Sequence, residues 1–377
     1  MDLPKLLLHW QLILFIFFCL IVFIQIFYYL FFFTRLAFYK TQPRPKSQTH
    51  PVSVIICARD EAENIITNLP GVLVQSYSST HEIVVVNDNS FDESKYILEE
   101  LKKTFRQLHV VELTQEAKMI PGKKFPLSIG IKTAKHEVLL LTDADCVPAS
   151  EHWIESMQAT FEDKTEIVLG YGAYHKKKGF LNKLIRWETF HSALQYFSFA
   201  LSGMAYMGVG RNLSYKKEVF FRHKGFSSHN NIPGGDDDLF INKAATRTNT
   251  KINIDKNSFT LSKAAESWKQ WRYQKARHYT TSRYYKTLHK LLLGAYAFSH
   301  FLFYPLLITS ILFYSWKVSL ILFFLRLLIQ AIVYIKSMGK LDEKDLIPFF
   351  LFFDIWMFFY YLIFATSLFK KPKPSWK

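Results

Sequence analysis

The sequence predicts an α/β domain on a doubly wound sheet, carried between membrane-spanning segments at both ends. Three observations predict it. Strand-like and helix-like patterns alternate from Val52 to Thr142. The strands are continuous apolar runs, as in a sheet covered on both faces. Leu6–Phe33 and Leu291–Trp316 contain no Lys, Arg, Asp or Glu, and about 20 apolar residues suffice to cross a bilayer core.

The 377 residues are 50% hydrophobic, 17% aromatic and 21% charged, which excludes a disordered, collagen-like or small disulfide-bonded chain. Lys and Arg number 47 against 31 Asp and Glu, a formal charge of +16. Much of the excess flanks the apolar segments, at Arg35, Lys40, Arg44 and Lys46 and again between Lys269 and Lys290. That placement fits positive-inside orientation and anionic lipid heads, not nucleic acid. Cys19, Cys57 and Cys146 lack the spacing of a metal site or a disulfide framework and read as reduced thiols.

Residues 1–34 are expected to be an uncleaved transmembrane anchor, because Arg35 and a Pro43/Pro45 linker follow rather than a small-residue cleavage site. The linker spans 35–50 and the α/β domain 51–262. Val52–Cys57 and Glu82–Val86 are β-branched, apolar strands, and Glu61–Val74 between them has helical spacing. Ser94–Phe105 is a second helix, His109–Leu113 a third strand, Ser128–Ala134 a helix and Glu137–Thr142 a fourth strand. Beyond these, Trp153–Phe161 reads as helix, Ile167–Tyr174 as strand and Phe180–Ala200 as a long aromatic-rich amphipathic helix. A further helix runs from near Asp236 through Ala245.

Residues 263–290, basic and rich in Trp and Tyr, suit a helix lying in the headgroup plane. The C-terminal membrane region is expected over 291–369, with a basic tail at 370–377. Its later segments are Val318–Ile335, which contains Arg326, and Leu346–Phe369, which contains Asp354. Both charges are costly alone in lipid, so they pair across two helices or line a polar path. Three C-terminal spans would place Lys370, Lys371, Lys373 and Lys377 on the side opposite the domain, against the positive-inside rule. If Val318–Ile335 lies flat or re-enters, the tail returns.

Ligands of such a sheet bind at the carboxyl ends of its strands. Leu139-Leu140-Leu141-Thr142-Asp143-Ala144-Asp145 delivers two carboxylates there, the oxygen donors that Mg²⁺ or Mn²⁺ prefers. Val84-Val85-Val86-Asn87-Asp88-Asn89-Ser90 delivers another to the same edge, although Asp88 and Asn89 equally suit a turn, and Ser90 and Asp92 a helix cap. Gly234-Gly235-Asp236-Asp237-Asp238-Leu239 sets three carboxylates side by side. N-capping explains Asp237 well; for all three it would be wasteful, and one carboxylate is available as a general base.

These motifs, with Val52-Ser53-Val54-Ile55-Ile56-Cys57-Ala58-Arg59-Asp60-Glu61, Gly122-Lys123 and Gln274-Lys275-Ala276-Arg277, stand in an order that resembles membrane-bound family 2 glycosyltransferases, such as bacterial polysaccharide and glycolipid synthases. The resemblance covers roughly Pro51 to His278. It implies a GT-A fold, a Rossmann-like sheet with helices on both faces, and a nucleotide-sugar donor, usually a UDP-sugar. By that likeness Ala58 and Glu61 line the nucleoside pocket and Asp88 holds the base. Lys123 lies near the donor phosphates, Asp143 touches ribose or sugar, and Asp145 ligates Mg²⁺ or Mn²⁺. Asp236 takes the place of the catalytic base of an inverting transfer, and Gln274 and Arg277 close over the donor. Gly208, Gly210, Arg211 and Asn212 resemble the acceptor-side loop, with His278 beside it.

Three positions depart from the family pattern. Gly235 precedes the base where the family has Glu, His278 stands where it has Trp, and Asp60 replaces Asn. The missing Trp leaves single transfer as open as processive synthesis. The implied partners are a nucleotide-sugar donor, a lipid or glycan acceptor and membrane lipids, with no nucleic acid. The expected location is a bacterial inner membrane with the domain cytosolic. A polyprenyl-phosphate glycosyl synthase and a non-catalytic scaffold that kept a nucleotide-binding fold are the competing readings.

Overall fold

The computed structural model describes residues 9–41, 49–114, 122–162 and 164–366. The Pro43/Pro45 linker with Arg44 and Lys46, and the basic tail, lie outside the described residues. Among the described residues the chain forms two compact units, one from the central residues 40–285 and one from residues 9–39 and 286–366 of the two ends.

The end unit begins with α1 (Trp10–Ala37), whose Tyr28–Phe33 stretch winds as a π-helix. In the central unit β1 (Val52–Ala58), β2 (His81–Asp88), β3 (Leu108–Leu113) and β4 (Val138–Asp143) run parallel in the order β3-β2-β1-β4. Helices α2 (Ala62–Leu73), α3 (Ser94–Thr104) and α4 (Lys124–Thr133) connect them. Every β1 residue is buried, as is β2 from Glu82 onward, which is why these strands show no polar alternation. Ser53 and Glu82, the polar residues inside this pair, satisfy each other through a 2.6 Å hydrogen bond.

Past β4 the sheet departs from the parallel pattern that the sequence predicts. β8 (Leu213–Lys216) joins β4 antiparallel, β6 (Ile167–Leu169) joins β8 antiparallel, and β9 (Thr250–Ile252) closes the edge. A second sheet has the order β5 (Cys146–Pro148), β10 (Thr260–Ser262) and β7 (Gly172–Tyr174). The predicted strand Ile167–Tyr174 is therefore two strands in two sheets. The break falls at Gly170, where an added Cβ would lie 2.5 Å from the Asn212 amide.

Helices α5 (Trp153–Gln158), α6 (Phe180–Leu201), α7 (Lys217–Arg222), α8 (Asp238–Ala244) and α9 (Trp268–Ser282) complete this unit. α6 is the long helix expected, but it is buried on most sides and lacks the polar face of an amphipathic one. Arg186, Glu188 and His191 are buried beside Trp187 and Phe190. The Glu188 charge is matched 2.6 Å away by buried Lys275 of α9. The single helix expected over Glu266–Lys290 is also broken. α9 stops at Ser282, and Tyr285 in the turn that follows donates from its hydroxyl to Asp238 at 2.8 Å, which fixes the chain away from a helical path.

In the end unit α1 packs with α10 (Thr287–Phe313), α11 (Trp316–Lys340) and α12 (Lys344–Ala365). By length and composition, all four helices are long and apolar enough to cross a membrane. The two charges inside them pair. Arg326 Nη1 lies 2.5 Å from Asp354 Oδ2, and Gln330 Nε2 donates to Asp354 Oδ1 at 2.6 Å. Gln25 Oε1 accepts from Arg326 Nη2 at 3.1 Å, and all four side chains are fully buried.

Removing one partner of such a pair strands a buried charge, at a cost of about 3–5 kcal/mol, whereas removing both does not. Arg326→Leu or Asp354→Leu alone is expected to lower the thermal midpoint and folded yield of the detergent-solubilised protein, and the double variant to recover much of both. Additive losses in the double variant would refute the coupling.

Candidate active site

The parallel register places the functional residues. Ala58 is level with Asn87, and Cys57 with Asp143, so β1, β2 and β4 end at one edge and bring Ala58, Asp88 and Asp143 there together. The turns beyond β1 and β2 are stitched to each other. Asp60 and Asn89 both take a left-handed conformation with φ 51°, which Asp and Asn tolerate. Asp60 N–H donates to Ser90 Oγ at 2.9 Å, and Phe91 N–H to Asp60 Oδ1 at 2.8 Å. Asp92 accepts from Ala62 N–H at 2.9 Å and Ser94 N–H at 3.0 Å, so its carboxylate caps two helices, the structural role anticipated for it. Against a desolvation that would raise it, these bonds hold its carboxyl below the usual range. Glu61 opens α2 and accepts from Asn64 at 2.5 Å, while Ala58 and Asp88 are fully buried beneath the edge.

Lys123, immediately before α4, forms an ion pair with Asp143. Burial works against the Lys123 charge, but Asp143, with a smaller contribution from Asp236, holds it protonated well above the ordinary lysine range. Burial likewise opposes ionisation of Asp143, yet Lys123, then Arg211 and Arg277, keep its carboxyl low. Asp145 goes the other way, raised by burial and by the Asp143 charge. One oxygen from each carboxylate and the Cys146 sulfur lie within 4.8 Å of one another. The Cys146 thiol donates to Asp145 Oδ1 at 3.3 Å, and burial pushes its pKa far up. The hard donors of this group are the carboxylate oxygens of Asp145 and Asp143, the type that Mg²⁺ or Mn²⁺ prefers, and such an ion would relieve their repulsion.

Gly122 must be glycine: its φ is +77°, and a Cβ would stand 2.2 Å from the Pro233 carbonyl oxygen. The Lys123 loop is thereby pressed onto the segment that carries the three aspartates. Lys124, not singled out in the sequence, fastens that contact. Its buried ammonium donates to the carbonyls of His229, at 2.7 Å, and Ile232, and burial brings its pKa down to about 8. A lysine bonded to main-chain carbonyls has no local signature beyond its place next to Lys123.

The three aspartates have three different surroundings. Asp237 caps α8, accepting from Asp238 N–H at 2.7 Å and, across the site, from Gly210 N–H at 2.8 Å. Burial, with Asp236 and Asp238, pushes its pKa up to about 8. Asp238 accepts from Thr281 Oγ1 at 2.5 Å and from the Tyr285 hydroxyl at 2.8 Å, both beyond the centre of α9. Asp236 has no hydrogen-bond partner among the described residues, and its charge bears on both Lys123 and Lys124. Gly235, at φ +92°, turns the chain just before it, and the Leu239 side chain leaves no space there for a Cβ.

Gln274, Arg277 and His278 share one face of α9, with the His278 ring at its exposed margin. Arg277 contributes to the field on Asp143. Asn212 has a bracing place instead of an open one. It is fully buried, donates to the carbonyls of Tyr171 at 3.0 Å and Ser258 at 2.6 Å, and accepts from Trp153 Nε1 at 3.1 Å. The structure thus gathers Lys123, Asp143, Asp145, Asp236, Arg277 and Gly210 around one strand edge.

A mixed sheet with a D-x-D turn at the carboxyl edge of its parallel half is the GT-A glycosyltransferase fold. The mannosyltransferase PcManGT of Pyrobaculum calidifontis, solved with GDP-Man and Mn²⁺, shares this fold with a TM-score of 0.58 at 16% identity, over 93% of this chain and 98% of that one. Residues 53–226 match the model of Glycosyl transferase family 2. Over those residues the chain resembles family 2 glycosyltransferases. Among curated relatives, Glycosyltransferase AglE of Haloferax volcanii is 31% identical over 28% of this chain and 33% of its own length. Poly-beta-1,6-N-acetyl-D-glucosamine synthase of Staphylococcus epidermidis is 31% identical over 30% of this chain and 26% of its own. The chain thus spans about a third or less of the length of these relatives.

Lys124→Met removes two charge-assisted bonds and is expected to cost roughly 1.5–3 kcal/mol. Limited proteolysis should then cut near residues 229–236 well before the rest of the domain. Protection equal to that of the unaltered protein would show that Lys124 does not hold the loop.

Proposed function

We propose that this protein transfers a sugar, with inversion, from a nucleotide-diphosphate donor of the UDP-sugar type to a hydroxyl of a lipid or growing glycan at the cytosolic face of a membrane. The observation that carries the reading is the division among the three aspartates. Asp237 and Asp238 are held by protein donors, and Asp236 alone among them is left open toward the site. Asp236 accepts the proton of the acceptor hydroxyl as that oxygen attacks the anomeric carbon from the face opposite the leaving group. Ala58, Glu61 and Asp88 border the nucleoside, and Lys123 stands by the diphosphate. Gln274 and Arg277 cover the donor from α9. A divalent cation held by Asp145 with Asp143 would supply Lewis-acid stabilisation of the departing nucleotide diphosphate. Gly210 and His278 face the acceptor, with Asn212 bracing their loop. The four apolar helices support a membrane location, and the S. epidermidis relative, by its name a polysaccharide synthase, supports a glycan acceptor.

The test is incorporation of label from a panel of UDP- and GDP-sugars into lipid or polymer, using membranes that contain the protein. Metal-dependent transfer from one donor is expected, lost on chelation and reduced about 10²–10⁴-fold by Asp236→Asn. Transfer that survives this substitution would instead favour a phosphate acceptor, which needs little base assistance.

A further inference from the structure

Arg211 is built into the meeting point of the two sheets. Its carbonyl accepts from Thr142 Oγ1 at the end of β4, at 2.9 Å, and from Thr260 Oγ1 at the start of β10, at 3.0 Å. Its side chain leans over Gly172, where an added Cβ would lie 3.1 Å from Arg211 Cβ. The guanidinium stacks 4.3 Å from the centre of the Tyr174 ring, and Nη1 donates to Ser262 Oγ at 2.9 Å. In the small sheet Ser262 pairs with Cys146 on one side and Tyr174 on the other. The guanidinium therefore lies along a row that begins at the residue after Asp145.

This cation is close enough for its charge to bear on both Asp143 and Asp145, yet it forms no ion pair with either among the described residues. A guanidinium has five N–H donors in a planar fork, and the Ser262 bond uses one. Lys123, another cation at this edge, is already engaged by Asp143. A fixed, partly exposed arginine beside two carboxylates, but not on them, is arranged for an anion that lies between.

We propose that Arg211 binds the distal phosphate of the donor's nucleotide diphosphate. The assignment rests on the nucleotide-sugar reading. Tyr174, Ser262, Thr142 and Thr260 set the guanidinium in place before the donor arrives, so little ordering entropy is lost on binding.

The test uses the full-length protein in detergent with saturating Mn²⁺, titrated calorimetrically with UDP, UMP, GDP and GMP. Arg211→Gln is expected to weaken binding of the preferred diphosphate about 10- to 100-fold, the usual loss of a charge-assisted contact, and to leave the matching monophosphate nearly unchanged. Arg211→Lys, which keeps the charge but not the fork, should fall between, and serves in place of Arg211→Gln if that variant does not fold. Unchanged diphosphate affinity in the variants would overturn the assignment alone. So would equal losses for diphosphate and monophosphate with a lowered thermal midpoint, the mark of a purely structural residue. If the unaltered protein bound neither diphosphate, the nucleotide-sugar reading would fall and the assignment with it.

Discussion

The constraint on which the site depends is mutual repulsion among carboxylates. Asp143, Asp145, Asp236, Asp237 and Asp238 converge on one strand edge, where burial strengthens every like-charge contact. The fold accommodates them by giving each a different environment. Asp143 has Lys123, Asp237 has two main-chain N–H groups, and Asp238 has two hydroxyls from the far end of α9. Among the described residues Asp145 keeps only the weak Cys146 thiol donor and Asp236 has no hydrogen-bond partner, which suits the metal-binding and proton-accepting roles proposed for them. The chemistry of the site is the residue of this distribution, since charges fully satisfied by protein have nothing to offer a ligand.

The same bonds join three separate loops into one body. Asp237 ties the Gly210 loop to the start of α8, Asp238 ties α8 to α9, and Gly122 with Lys124 presses the Lys123 loop onto the segment before Asp236. α9 is in turn anchored on α6 by the buried Lys275–Glu188 pair. A buried ion pair adds little net stability, but it penalises any helix position that separates its members. The orientation of the α9 face that carries Gln274 and Arg277 is thus set in part by Lys275, Thr281 and Tyr285.

Much of this was legible in the sequence wherever the cause is local. The apolar runs of β1, β2 and β4 followed by carboxylates identify both the strands and the edge they share, because burial on two faces and a ligand at the carboxyl end leave a mark within a few residues. The N-cap at Asp237 was legible for the same reason. Features with a distant cause were not. Ile167–Tyr174 reads as one strand because nothing within it shows that Asn212 occupies the space above Gly170. Glu266–Lys290 reads as one helix because the tether from Tyr285 reaches back across α9, β10 and β9 to Asp238 at the start of α8. α6 reads as amphipathic because nothing within it shows that the lysine neutralising Glu188 lies on α9.

Arg326 and Asp354 show the opposite case, a long-range contact that was legible because leaving it unmade is so costly. Neither lipid nor an apolar protein interior solvates either charge, so two apolar helices that each carry one are constrained to face each other at that level. The pair sits inside a ring of Gln25, Gln330 and Tyr304, all of which bond to it, and α1, α10, α11 and α12 each contribute a member. Apolar side chains alone would tolerate sliding or rotation of these helices, since lipid tails and leucines offer similar surroundings. A single buried ion pair with directional partners on all four removes that freedom. Its contribution is therefore to register more than to net stability.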